Sequence, residues 1–175
     1  MLDIVSIPSH AVPYYEGRPG YRSGPSYSMF YLGFNVTKPP FDDPDVRRAF
    51  AHSIDREQVV KVLRGGRQPW AGWIPPRMEA SDPGAGCRFD LGAARGFLRR
   101  AGYDSGKDLP EVTLGYNTNL SNTMVASNVQ AQWRRNLGAR VRLDNMEWKV
   151  YLAKLREDPP QIFRLGWIAD YADPD

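Results

Sequence analysis

The side chains that could carry acid–base or nucleophilic chemistry are scattered along this sequence. Its two histidines, His10 and His52, stand far apart, and Cys87 is its single cysteine. No Gly-x-Ser-x-Gly elbow occurs, so a nucleophile–base–acid set has no support. HExxH, CxxC, EF-hand and P-loop spacings are absent as well. Gly65-Gly66 lacks the further glycine and the strand–helix setting of a dinucleotide loop. Asp42 and Asp43 precede Pro44, where a carboxylate caps a helix better than it serves in proton transfer. His52 falls in a helical stretch, Ala49–Ile54, and reads as a partly buried packing residue. The chain is read as a non-enzyme, with no catalytic residue, no metal ligand set and no cofactor.

A second group of residues suits binding. Trp148 stands at the start of a helical pattern, Trp167 at the end of a strand pattern, and Asp170-Tyr171 in the loop that follows. Tyr116-Asn117-Thr118-Asn119 lies at a comparable strand end. In open α/β sheets, ligands bind beyond the carboxyl ends of the strands. A carboxylate held there between aromatic walls suits an ammonium group, because a charge-assisted bond strengthens where water is excluded. The other reading of the same residues makes the tryptophans core and Asp170 the cap of a turn.

The elements that must position these residues follow from pattern. Leu2–Ile7 reads as a short strand, and Ala11–Ser26, rich in Gly, Pro and Tyr, as a long surface loop. Ser28–Val36 is a dense apolar and aromatic run between turn signals, as in a buried strand. Asp43 as N-cap and Pro44 at the first helical position open a helix whose face is Val46, Ala49, Phe50 and Ile54. Asp55, with Gln58 in the capping-box place, opens a second helix through Leu63 that Gly65-Gly66 ends. Gln68–Pro83 is a loop carrying Trp70 and Trp73. Asp90 caps a helix through Ala101, with Gly102 just past its end. Glu111–Asn117 alternates as a strand, and Ser121 opens a long helix to Leu137, closed by Gly138. Ala139, Val141 and Leu143 alternate with Arg140, Arg142 and Asp144, a half-buried strand. Asn145 caps a helix over Glu147–Glu157 with Trp148, Leu152 and Leu155 on one face. Asp158-Pro159-Pro160 breaks it, and Gln161–Trp167 is the last strand. Strands alternating with helices in the second half predict an α/β lobe with helices packed on a sheet.

Composition limits the partners. The 175 residues are 42% hydrophobic and 25% charged, enough apolar matter for a sizeable core. Sixteen Gly and fifteen Pro mark loops, below the proportion of low-complexity chains. A net charge of +3 is only mildly basic. The arginine pairs Arg47/Arg48, Arg99/Arg100 and Arg134/Arg135 read as solvated helix faces, and nucleic-acid module signatures are absent. No window has the roughly 18 apolar residues a membrane span requires, and Met1-Leu2-Asp3-Ile4-Val5 is not a signal segment. The chain is therefore cytoplasmic or an internal piece of something longer. An end at Asp173-Pro174-Asp175, just after a strand, suggests truncation.

An ordered series of motifs resembles the oligopeptide/dipeptide-type (family 5) substrate-binding proteins of bacterial ABC importers. It runs through Phe34-Asn35-Val36-Thr37-Lys38-Pro39-Pro40-Phe41-Asp42-Asp43, Val46-Arg47-Arg48-Ala49 and Ser53-Ile54-Asp55-Arg56. Gly65-Gly66, Ile74-Pro75-Pro76, Ala101-Gly102-Tyr103 and Trp133-Arg134-Arg135-Asn136-Leu137-Gly138 follow. Glu147-Trp148-Lys149 and Gly166-Trp167-Ile168-Ala169-Asp170-Tyr171-Ala172-Asp173-Pro174 complete it. The series covers nearly all the chain from Tyr31 onward; upstream, only Asp3-Ile4-Val5 is similar to a strand that leads into the lobe.

The resemblance implies a periplasmic-binding-protein-like lobe, a mixed β-sheet with helices packed on it. Residues 1–27 would be a leading strand and long loop. Residues 28–175 would be the ligand-binding lobe, cut before its return to the hinge. It implies a binding component, periplasmic or extracellular, that encloses peptide between two lobes and delivers it to permease subunits. The full-length protein would be a monomer that binds no nucleic acid. Matched residue by residue, Asp170 in Ala-Asp-Tyr is the aspartate that holds a peptide's amino end. Trp167 and Trp148 match aromatic pocket walls, Asn117 a lining position, and Arg164 an arginine that receives the carboxylate, with Tyr171 beside Asp170. The loop Arg156–Gln161 departs from the family pattern in length and proline content. A different ligand on the same scaffold (an oligosaccharide, nickel chelate or opine) and a structural or protein-interaction module are the competing readings.

Overall fold

The computed structural model describes residues 4–8, 11–24, 26–63 and 65–171. Leu2 and Asp3 of the expected first strand, His10 and residues 172–175 lie outside them. The helices are α1 (Val12–Tyr15), α2 (Pro44–His52), α3 (Arg56–Leu63), α4 (Leu91–Arg100), α5 (Leu120–Asn136) and α6 (Trp148–Glu157). The strands are β1 (Ser28–Phe34), β2 (Val112–Asn117), β3 (Val141–Met146) and β4 (Ile162–Ile168).

The strands form one mixed sheet in the order β1-β4-β2-β3. β2 runs parallel to β3, from Val112 opposite Val141 to Asn117 opposite Met146. It runs parallel to β4 at Leu114 opposite Ile162 and Gly115 opposite Phe163. β1 is the antiparallel edge, paired with β4 from Ser28 opposite Ile168 to Phe34 opposite Ile162. The central strand β2 is buried at Val112, Leu114, Gly115 and Tyr116, as a strand covered on both faces must be.

One face of the sheet carries the main core. Val46, Ala49 and Phe50 of α2, Ala94 and Leu98 of α4, and Ala126, Val129 and Trp133 of α5 pack with Leu114 and Ile162. Phe41 stacks on Phe34 at 4.7 Å and meets Phe50 edge-on at 4.9 Å, and Phe50 lies 5.2 Å from Trp133. The Trp133 indole donates to the Phe50 carbonyl at 3.1 Å. Polar groups inside are matched: Gln132 donates to the Asp55 carbonyl at 3.1 Å and accepts the Asp55 N–H at 2.7 Å. Asn136 donates to the Ser53 carbonyl at 2.7 Å. α6 covers the opposite face, where Tyr151 is its one buried residue.

Local signals set most helix ends. Asp43 accepts the Asp45 N–H at 2.7 Å ahead of Pro44, and Asp90 accepts the Ala93 N–H at 2.9 Å. Gly102 and Gly138 follow α4 and α5 with φ of 86° and 83°, the left-handed conformation in which a side chain is strained.

Several expectations are corrected. Residues 4–8 form no strand: Ile4 and Val5 are 88% and 73% exposed and no described strand pairs with them. Their β propensity has no ladder to act in. α1 occupies part of the expected loop at Ala11–Ser26. α2 stops at His52, before Ile54. α5 starts at Leu120, capped by Asn119. Asn145 does not cap α6. Its backbone stays in the β3 ladder opposite Tyr116, and Glu147 takes the cap, accepting the N–H of Lys149 at 2.7 Å. Gln58 bonds the Asp55 carboxylate, 2.7 Å, because Gln132 already holds the Asp55 N–H. Arg47 is half-buried, not solvated, and donates to the carbonyls of Phe41 and Asp42 at 2.6 and 3.0 Å.

Candidate functional site

β2, β3 and β4 are parallel, so their carboxyl ends share one rim of the sheet. β2 stops there at Asn117 and β3 at Met146. The register that sets Gly115 against Phe163 carries β4 further. Gly166, Trp167 and Ile168 extend past β2 and pair only with Phe30, Met29 and Ser28 of β1. A two-stranded ribbon thus projects from the rim.

Trp167 on this ribbon is 59% exposed, and Tyr171 beyond it 62%. Asp170 is exposed, and no described residue donates a hydrogen bond or forms an ion pair with its carboxylate. Trp148, the first residue of α6, is 47% exposed because the Glu147 cap turns the chain at the end of β3. Asn117 is half-buried and held: Asn122, at the start of α5, donates to its side-chain oxygen at 2.9 Å and its carbonyl at 3.0 Å.

Arg164 sits differently from Trp167. Side chains alternate along a strand, and Arg164, opposite Leu32, faces the helical layer, whereas Trp167 faces the side of α6. The Arg164 guanidinium lies 4.8 Å from the centre of the Phe30 ring. Burial, the largest cause, and the neighbouring Arg67 lower its pKa, against the pull of Tyr151. No described carboxylate pairs with it. The six residues therefore share a rim but divide between its two sides.

Tyr151 was not legible as a site residue. Its ring centre lies 6.3 Å from that of Trp148, and its hydroxyl reaches the main chain of Gly115 and Arg164. Burial pushes its pKa up to about 12. The signal was its place three residues after Trp148 on an otherwise apolar helix face, where a buried phenol needs a polar partner. Tyr31 of β1 and Trp73, whose rings meet edge-on at 5.8 Å, add a further exposed indole, 70% open. An apolar groove of about 340 Å³ between Phe34, Leu155, Phe163 and Leu165 lies elsewhere and includes none of the six residues.

The rim thus presents an exposed carboxylate with no partner among the described residues, a largely buried guanidinium and open aromatic faces. The oligopeptide-binding protein OppA of Bacillus subtilis is 32% identical over 181 residues, 99% of this chain and 33% of that protein. The probable deoxycholate-binding periplasmic protein YgiS of Escherichia coli is also 32% identical, over 98% of this chain and 34% of that protein. The crystal structure of the periplasmic oligopeptide-binding protein OppAIV of Borrelia burgdorferi superposes with a TM-score of 0.86 at 31% identity. That match covers 96% of this chain and 34% of that one. The chain spans about a third of the length of these relatives and has the fold of a periplasmic-binding-protein lobe. The middle portion of the bacterial extracellular solute-binding proteins, family 5, matches residues 2–175, and the chain belongs to that family.

Proposed function

We propose that residues 28–175 supply one wall of the ligand cleft in the solute-binding component of an ABC importer, with residues 1–27 leading into it. The whole protein works outside the cytoplasm as a monomer, encloses a peptide between two lobes, presents it to the permease and carries out no reaction. One observation carries the reading: Asp170 offers an exposed carboxylate, without a partner among the described residues, beside Trp167 at the carboxyl rim. A peptide's ammonium group would complete that charge. Trp148, Trp167 and Tyr171 are apolar surface for its side chains. Arg164 would meet its carboxylate, and Asn117 would line the site. Bridging waters in such pockets make a site tolerant of sequence.

The test is calorimetry on the full-length protein. Asp170→Asn removes a charge-assisted bond of ~1.5–3 kcal/mol, so free-amine peptides lose roughly ten-fold or more in affinity. N-acetylated peptides change little. Equal losses for both reject the assignment. Binding of deoxycholate, the ligand named for YgiS, in place of any peptide would turn the reading toward anions held by Arg164.

A further inference from the structure

β4 shares its hydrogen bonds between two neighbours. The Asn35 N–H donates to the Gln161 carbonyl and the Ala169 N–H to the Tyr27 carbonyl, each at 2.9 Å, just outside the two ends of the β1–β4 ladder. Alternate residues of a strand bond to alternate sides, so odd-numbered residues of β4 face β1 and even-numbered residues face β2. The Arg164 N–H therefore faces β2, and the register sets it against the Gly115 carbonyl. This is the last rung the two strands share.

The Tyr151 hydroxyl closes on that rung. It accepts the Arg164 N–H at 3.0 Å and lies 3.1 Å from the Gly115 oxygen and 2.8 Å from the Arg164 oxygen. A continued ladder would offer that last oxygen to β2; the hydroxyl meets it instead, and β4 leaves with β1 as the ribbon. Gly115 lets Pro160 pack close beside the joint: a Cβ there would stand 2.6 Å from the Pro160 ring, while it would meet the Tyr151 ring at an ordinary 3.5 Å. Tyr151 also belongs to the first turn of α6, three residues from Trp148. One side chain thus joins the helix that presents Trp148 to the strand that presents Arg164 and Trp167.

We infer that Tyr151 is a positioning residue of the ligand site, its hydroxyl setting the α6 wall against the β4 wall across the rim. It touches no ligand and acts through the spacing of those that do. The inference rests on the cleft reading above for what the walls hold, but the joint itself stands on hydrogen bonds.

The experiment measures peptide affinity in the full-length protein well below its melting temperature, for Tyr151→Phe alone and combined with Trp148→Ala. Tyr151→Phe keeps the ring and is expected to lower affinity about ten-fold. In the Trp148→Ala background the further loss shrinks to two-fold or less, because one of the two walls is gone. A merely structural tyrosine lowers the melting temperature without this coupling. Unchanged affinity in Tyr151→Phe, or the same loss in both backgrounds, overturns the inference. Should Tyr151→Phe fail to fold, amide exchange on the wild-type protein decides. The Arg164 N–H is expected to exchange as slowly as that of Phe163; exchange as fast as that of Ile168 overturns the joint. A wild-type protein that binds no peptide defeats the cleft reading instead, and the Arg164 amide still reports on the joint.

Discussion

On the helical side of the sheet Trp133 is fully buried, packed against Phe50, with its indole N–H satisfied by the Phe50 carbonyl. At the rim Trp167 is 59% exposed, on a ribbon with one neighbouring strand instead of two. The first indole is surrounded by protein and contributes to stability; the second keeps most of its surface in water. Large apolar groups kept in water at the ends of elements are places where the fold forgoes burial. The packed layer and the rim should therefore respond oppositely to the same chemical change.

The largest effect is expected from Trp133→Ala, ~3–5 kcal/mol of lost stability by urea or thermal unfolding, from the cavity and the lost burial. A loss below ~1 kcal/mol would break the contrast at its stronger end. Gly115→Ala, at the seam between the two regions, should cost ~1–3 kcal/mol, since the new methyl meets Pro160 Cγ at 2.6 Å; an unchanged urea midpoint would show that the seam yields.

A smaller, pH-dependent effect belongs to Asp45, which joins α2 to α4. Arg100 grips its carboxylate at 2.9 and 3.0 Å and Arg48 adds a bond at 2.8 Å. These bonds, the Arg100 bond first, lower its pKa from 3.8 to about 2. The unfolded chain takes up this proton at a higher pH than the folded one. The stabilisation is therefore complete above pH ~4 and lost as pH falls toward ~2. Urea midpoints of Asp45→Asn and wild type should differ above pH ~4 and converge below it; a constant gap contradicts the linkage. The smallest expected change is in Trp167→Ala, within ~0.5 kcal/mol in stability. A large loss there would make Trp167 a core residue after all.

What was legible in the sequence was local. Asp43 and Asp90 cap helices because the groups they bond lie two or three residues away, and Gly102 and Gly138 end helices by their own conformational freedom. The strand periodicities gave β1 to β4 to within a few residues. Non-local competition was not legible. Asn145 is the better capping residue by type, yet the β3 ladder holds it and Glu147 caps in its place. Ile4 and Val5 favour a strand, but a strand exists only with a partner. At the rim, sequence placed Trp148, Trp167 and Asp170 at element ends, and the structure leaves them exposed. Strand alternation alone sets Arg164 and Trp167 on opposite sides, but which of them faces the helical layer depends on how the sheet pairs and packs. Nor could the sequence reveal the partners of the Tyr151 hydroxyl, which come from two strands that meet only in the folded chain.

The pairing of Ser28 with Ile168 means that the sheet's first and last residues are neighbours, about one strand spacing of ~4.8 Å apart. Between them runs nearly everything else the structure describes. The chain thus enters and leaves this sheet side by side, and helices α2 to α6 and the inner strands are bracketed by one two-stranded ribbon. The same ribbon carries Trp167, so the entry and the exit lie beside the exposed rim.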